Sequence, residues 1–478
     1  MDFKPAFEPA PNVKVMINIG ACLDIPTGTW LRGKYGESIL NGGLGAITGM
    51  TAIGNQFKST IIHFMMLSAM SRVMETHTTS LSTYDTEINI HESHLYDLTR
   101  RMKNFKDRNI LQTGEWVVTD KTVYQGNEYF EILKTFMKDK RKSGKKAVTP
   151  FISREAGKNL EILVPTFGEI DSITEFQSEA EMRMLDENEL GDSGGNTFHM
   201  RAGLVKTRVL MELPALSGGS YHYTAITAQL GKETMMASGP MPAPPTKKLG
   251  YLKNGDKIKG ATDKFTFATN NCWHAYNAAP LVNQSTKAAE YPMQDQDPIS
   301  GDTDLNLVSL RCLRSKSGPS GIVLEIIVSQ REGVLAELTE FHYIKGMNRF
   351  GISGTLQHYA LDLYPECKLQ RTTVRTKIDE DPKLRRALNI TSEMCQMKTY
   401  MPEPEVAQYM CTPLELYDDL KKMGYDWDLI LSNTRGYWTL DNDKHPVPFL
   451  STMDLLRMRK GDYTPYWMDD NKQIKKNK

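Results

Sequence analysis

The stretch AIGNQFKST, Ala52–Thr60, decides how the rest of this chain is read. It follows the Gly-rich apolar run NGGLGAITGM and leads into the apolar segment IIHFMMLSAM. That is the order strand, loop, helix. A lysine followed by hydroxyl residues at the start of a helix suits a triphosphate. The amides of Ala52, Ile53, Gly54, Asn55, Gln56, Phe57, Lys58 and Ser59, with the helix N-terminus, hold phosphate oxygens; Lys58 adds positive charge; Ser59 or Thr60 ligates Mg²⁺. The pattern departs from the usual one at two places: Phe57 stands where a Gly normally precedes the lysine, and Ala52 where the first Gly would be.

Working outward, four further segments bring polar residues to strand ends. LSTYDTEINI (81–90) is a β-type run closing on Asp85-Thr86-Glu87, and Glu87 can polarise an attacking water. LEILVPTFGEIDSITEF (160–176) reads as an apolar strand ending at Asp171, which can hold the metal's water shell; Pro165 and Gly168 interrupt it. SYHYTAITAQLGK (220–232) is a β-branched and aromatic strand ending near Gln229, a neutral amide able to sense a γ-phosphate. LVSLRCLRSKSGPSGIVLEIIV (307–328) reads as two strands around a turn, with Arg314 and Lys316 on one face, where cations can reach a neighbouring subunit's phosphates. Each also has a bland reading as a solvated turn, cap or strand-end residue.

The length, 478 residues, allows two or three domains. We divide it into an N-terminal arm and lead-in (1–40), a core (41–360) and a C-terminal region (361–478) of charged, Pro-punctuated helical patterns with a basic tail. The core alternates strand and helix patterns, which predicts an α/β fold with a mostly parallel sheet. Charge is balanced, 58 basic against 58 acidic residues, so any nucleic-acid site must be a local patch. Six dispersed cysteines without C-x-x-C argue against a zinc ribbon or disulfide scaffold and suit a cytoplasmic location. No apolar run is long enough to span a membrane. Three stretches read as long surface loops: basic 138–146, acidic and Gly-rich 186–195, and Pro- and Lys-rich 237–260. His91-Glu92-Ser93-His94 has the wrong spacing for a zinc helix and reads as a loop; Trp273 and His274 read as core.

Taken in order, these segments resemble the RecA family of DNA-recombination ATPases, above all its phage-type members. There the phosphate loop can likewise read F-K-S, and the catalytic strand reads Y-D-S-E beside Tyr84-Asp85-Thr86-Glu87. Asp171-Ser172 resembles the D-S of the family's second Walker site. ENELGDSGGNTFHM (187–200) resembles the first DNA-binding loop of bacterial members, E-G-E-I-G-D-S-H-M. The resemblance spans roughly residues 20–350. It implies a RecA-like core that binds ATP and Mg²⁺, with Ser59 and Asp171 on the metal. It implies Glu87, Lys58, Gln229, Arg314 and Lys316 as catalytic groups, the last two acting across a subunit boundary. It implies single-stranded DNA and homologous duplex DNA as partners and a helical filament as the assembly. Arg201, Lys232, Lys247, Lys248, Lys253, Lys257 and Lys259 are the candidate DNA-binding patch. Two F-x-x-A patterns, Phe3–Ala6 and Phe7–Ala10, match the segment by which recombinases dock onto the next protomer.

The spacing from Glu87 to Asp171 is longer than the family's by about thirty residues, and the second DNA loop is longer and richer in lysine. Two alternatives stand beside the recombinase. Arg314-Ser315-Lys316-Ser317-Gly318-Pro319-Ser320-Gly321 is similar to K-x-R-x-G-P-T-G of DnaB-like hexameric helicases, although little chain precedes the phosphate strand and Ser172 replaces the usual Tyr. The departures at Ala52 and Phe57 fit a RecA-fold protein with a structural role and no turnover.

Overall fold

The computed structural model describes residues 10–153, 157–187, 195–232, 250–253, 256–259, 264–293, 304–355 and 358–475, with backbone alone at 184–187 and 195–202. The apolar runs assemble into a 10-stranded sheet. In chain order its strands are β1 (Ile47–Ala52), β2 (Leu81–Asp85), β3 (Trp116–Asp120), β4 (Thr166–Asp171), β5 (His222–Lys232), β6 (Asp256–Ile258), β7 (Asn271–Pro280), β8 (Leu305–Ser315), β9 (Val323–Ser329) and β10 (Gly333–Val334). Across the sheet they run β10-β9-β8-β7-β1-β5-β4-β2-β3, with β6 paired to the end of β5. The six strands from β7 to β3 are mutually parallel; β8, β9 and β10 continue the sheet antiparallel. The molecule is thus mixed α/β around a large, mostly parallel sheet.

β1 lies at the centre, and all its residues are buried, as a strand covered on both faces requires. Helix α1 (Lys58–Met74) follows it and packs Ile61, Met65 and Met66 with Met50 and Ala52 against one face. Helices α2 (Gly126–Ser143) and α3 (Gly195–Ser220) cover the other face, where Leu133, Met137, Leu210 and Leu213 meet Ile47, Ile170 and Ile226. Alternation along β5 serves both layers: Tyr223 and Ala225 face α1, Ile226 and Ala228 face α2 and α3.

Beyond the sheet, α4 (Ala336–Gly346) packs on α5 (Pro382–Tyr400) through Leu338, Phe341, Leu384 and Leu388. α5 begins cleanly because Asp381 accepts from the amides of Lys383 and Leu384 and Pro382 fills its first turn. Later segments return to the core. Trp438, Leu440 and Phe449 share the apolar cluster of α1, and Asp454 accepts from the Ser38 amide at 2.8 Å.

Several local expectations are corrected. The basic run 138–146 is not a loop; it is the last turns of α2 and the start of the strand Lys146–Ile152. Cations suit a helix C-terminus, where they offset the dipole. Pro165 divides the supposed single strand into Asn159–Leu163, which pairs with 146–152 in a separate hairpin, and β4. Gly168 is no break: it lies inside β4, where a Cβ would come 2.5 Å from His222 Nε2. The 81–90 run is strand only to Asp85. His91 to His94 is not a loop but the cap and first turn of the helix Glu92–Thr99. Trp273 and His274 are buried on β7, and all six cysteines are unpaired. Among the described residues no helix is long and apolar enough to cross a membrane. Phe3 and Phe7 with most of their F-x-x-A patterns, most of the 186–195 and 237–260 stretches, Lys247, Lys248 and the Arg201 side chain lie outside the described residues.

Candidate nucleotide site

β1 ends at Ala52, and Ile53–Phe57 turn the chain into α1. The turn needs left-handed backbone at Asn55 (φ 59°) and at Phe57 (φ 55°). This is why glycine is the usual residue before the lysine: a side chain there costs about 1–2 kcal/mol. Phe57 offsets part of that cost by packing its ring against the main core. No side chain caps the amides of the first turn of α1, and that turn holds no acidic residue. Space around Gly54 is open. Two buried polar atoms close to the loop, Thr51 Oγ1 and Gln56 Oε1, have no partner among the described residues. An anion at this helix start therefore meets donors and no carboxylate from the turn itself.

The parallel strands bring three other site residues to the same edge. Lys58 Nζ lies 2.9 Å from Asp171 Oδ1 at the end of β4 and 3.4 Å from Thr227 Oγ1 on β5. Thr227 itself donates to Asp171 Oδ1. Burial alone would raise the Asp171 carboxyl. The Lys58 charge and hydrogen bonds from Ser59, Thr227 and Lys58 outweigh it and hold the group below the ordinary carboxylate range. Ser59 and Asp171 thus face one another, a hydroxyl and a carboxylate of the hard-oxygen kind Mg²⁺ prefers. Thr60 points instead toward Gly333.

Glu87 is the second focus. Its Oε1 accepts from Gln229 Nε2 at 3.1 Å and from Ser172 Oγ at 3.4 Å, and lies 4.0 Å from Lys58 Nζ. Backbone sets that position. The Asp85 carboxylate accepts from the amides of Glu87, Ile88, Asn89 and Ile90 at 2.8–3.0 Å, so the loop after β2 is wound around one buried side chain. Thr86 ties the loop to β4: its amide donates to the Asp171 carbonyl at 2.8 Å, and its hydroxyl bridges both backbone groups of Ser172. The Asp171–Ser172 peptide is cis.

Gln229 lies level with Ala52 across the β1–β5 pair. Its carbonyl accepts from the Lys259 amide at 2.8 Å, and the Lys259 carbonyl accepts from Thr174. Beyond it, β5 and β6 form a two-stranded ribbon carrying Lys232, Lys257 and Lys259. Lys253, Lys257 and Lys259 are exposed; Lys232 is paired with Asp256.

Arg314 and Lys316 are elsewhere. Arg314 is level with Cys272, which pairs with Gly49, and the Lys316 amide donates to Asn270 at the start of β7. They sit at the amino edge of the parallel strands, about 10 Å along and about 10 Å across from the start of the Ile53–Phe57 loop of their own chain. Arg314 lies over the Phe267 ring at 4.6 Å. Burial, then the neighbouring Arg314 charge, lowers the Lys316 ammonium.

Sequence reasoning missed Thr174 and Thr227 and gave no role to Asp85, Thr86 and Ser172, which it named only as parts of motifs. Strand alternation carried a signal for Thr227, which shares a face with Gln229 two positions on. For Asp85 only its place at the strand end did so. A scan against protein-family models finds no match, and a search of curated proteins finds no detectable relative.

Proposed function

We propose that this chain is an ATP-dependent recombination protein with a RecA-like P-loop core, one that assembles on single-stranded DNA and exchanges strands with homologous duplex DNA. The observation that carries the reading is the convergence of Lys58, Asp171, Glu87 and Gln229 on the carboxyl edge of a parallel sheet, at the mouth of an uncapped helix. Crevices outside the carboxyl ends of such strands are where ligands bind in open α/β sheets.

Lys58 and the loop amides would hold the phosphates of ATP, and Ser59 and Asp171 the Mg²⁺, which neutralises charge on the phosphate oxygens. Glu87, aimed by its loop amides, Gln229 and Ser172, orients and deprotonates the attacking water. Gln229 reads the γ-phosphate and passes its position through Lys259 into the lysine-bearing ribbon. Lys253, Lys257 and Lys259, with the remainder of that patch, bind DNA phosphates without sequence preference and with strong salt dependence. Arg314 and Lys316, remote from their own loop, act on a neighbour's nucleotide. Such head-to-tail contacts that do not close give a filament.

The DnaB-like reading draws on the turn after Arg314, where Gly318 fits tightly against the Pro26 carbonyl. Electron microscopy of the protein with single-stranded DNA and a slowly hydrolysed ATP analogue, beside Glu87→Gln, separates the readings. Helical filaments with both proteins, and ATP turnover lowered about 10²–10⁴-fold in the variant, are expected. Six-membered rings would favour the helicase; no nucleotide-dependent assembly would favour a protein without turnover.

A further inference from the structure

Helix α1 and strand β4 are joined by two bridges, one above the other. The upper is Lys58–Asp171, 2.9 Å, at the mouth of the site. The lower is His63–Glu169, Nδ1 to Oε2 also 2.9 Å, with residue exposures of 3 % and 0 %. Glu169 lies two positions before Asp171, on the same face of β4. The lower bridge continues sideways through the other strands. Thr83 Oγ1, two positions before Asp85, donates to Glu169 Oε2 at 2.5 Å, and Trp116 Nε1 on β3 donates to Thr83 Oγ1 at 2.9 Å. The His63 ring stands edge-on to Trp116 at 5.6 Å. A polar layer thus crosses α1, β4, β2 and β3 directly beneath the residues that meet the nucleotide.

We propose that His63 and Glu169 are positioning residues that hold α1 on β4 while Lys58 exchanges Asp171 for a phosphate. This rests on the nucleotide reading above. A phosphate drawing on Lys58 and a metal taken up by Asp171 would compete for the two ends of the upper bridge, so binding loosens it. Without a second tie, the first turn of α1 would be free to lift from β4 at the moment Asp171 takes up the metal. An apolar pair would fill the space but would not fix register, because dispersion is non-directional whereas a hydrogen-bonded pair has one geometry.

The test compares wild type, His63→Leu, His63→Leu/Glu169→Leu and Glu169→Gln. Thermal unfolding without nucleotide, the affinity for a slowly hydrolysed ATP analogue with and without Mg²⁺, and hydrogen exchange of residues 58–62 are measured. His63→Leu should lose stability, since it leaves the buried Glu169 carboxylate without its cationic partner, held by the Thr83 hydroxyl, and the double variant should regain it. The double variant should nevertheless bind the Mg²⁺-analogue about tenfold more weakly than wild type, and its 58–62 amides should exchange faster once the analogue is added. Glu169→Gln, which keeps an acceptor for His63, should bind within about threefold of wild type. A double variant that binds like wild type with unchanged exchange would overturn the inference alone. A wild-type protein that does not bind the analogue would overturn the nucleotide reading and the inference with it.

Discussion

The two edges of the central sheet hold charge in opposite ways. Around the loop at the carboxyl edge the charged groups have partners: Lys58 with Asp171, Glu87 with Gln229 and Ser172, Asp85 with four amides. At the amino edge, cations stand without carboxylates. Among the described residues neither Arg314 nor Lys316 makes an ion pair. Among the described residues the Lys140 ammonium donates to Thr166 Oγ1 at 2.8 Å and to the Tyr221 carbonyl at 3.1 Å, and burial pushes it down to about 7. His222, beside it, is held down to about 3 by burial and then by Lys140. The difference teaches that the groups around the loop at the carboxyl edge are self-sufficient in charge. At the amino edge burial pushes Lys140 and His222 toward their neutral forms, and Arg314 and Lys316 stand as cations for which an anion from outside this chain is the natural complement.

The sharpest way to break that comparison is to separate the edges between two proteins. Arg314→Ala should lower ATP turnover by about 10³-fold or more, and Lys58→Ala should also be inactive. If the amino edge serves a neighbour, mixing the two inactive proteins restores a measurable fraction of turnover. If mixing restores nothing while each protein still assembles, the amino edge does not act in trans.

A smaller effect concerns Lys140. Its folded value lies below the ordinary 10.5, so the unfolded chain binds more protons between about pH 7 and 10.5. Stability therefore rises with pH across that window, and the penalty is complete below it. Lys140→Met should raise stability at pH 7 by about 1–2 kcal/mol and flatten the dependence between pH 7 and 10 in urea unfolding. An unchanged slope would show that the ammonium is charged in the folded protein.

The smallest effect tests the carboxyl edge. Phe57→Ala removes ring packing and keeps the left-handed strain; Phe57→Gly removes both. The glycine variant should be about 1 kcal/mol more stable than the alanine variant, the reverse of their usual order beside a helix, as read by thermal unfolding.

Much of this edge was legible in the sequence. A lysine with hydroxyls opening an apolar helix, and polar residues ending apolar strands, are local patterns. Parallel pairing alone then brings Glu87 and Gln229 together across 142 positions. What was not legible depends on contacts between strand ends. Thr86 and Ser172 lie inside motifs the sequence showed, but nothing local announces their importance, which lies in bridging β2 to β4. Pro165 read as a weakness in one strand because the hairpin 146–163 pairs outside the sheet, and no local pattern separates it from β4. The lysines of 138–146 read as loop because charge masked the apolar spacing of Tyr129, Leu133 and Met137 on α2.

The β5–β6 ribbon sets one more property. Lys232 faces Asp256, and the Lys259 amide is held by Gln229, so the chain leaves and re-enters the sheet at one clamped point. Doubling a connecting loop adds only about 0.6 kcal/mol of closure entropy. Residues can be gained or lost between 233 and 249 without disturbing Gln229, whereas 250–253 is anchored through buried Leu252 and the Tyr251 carbonyl that accepts from Arg311.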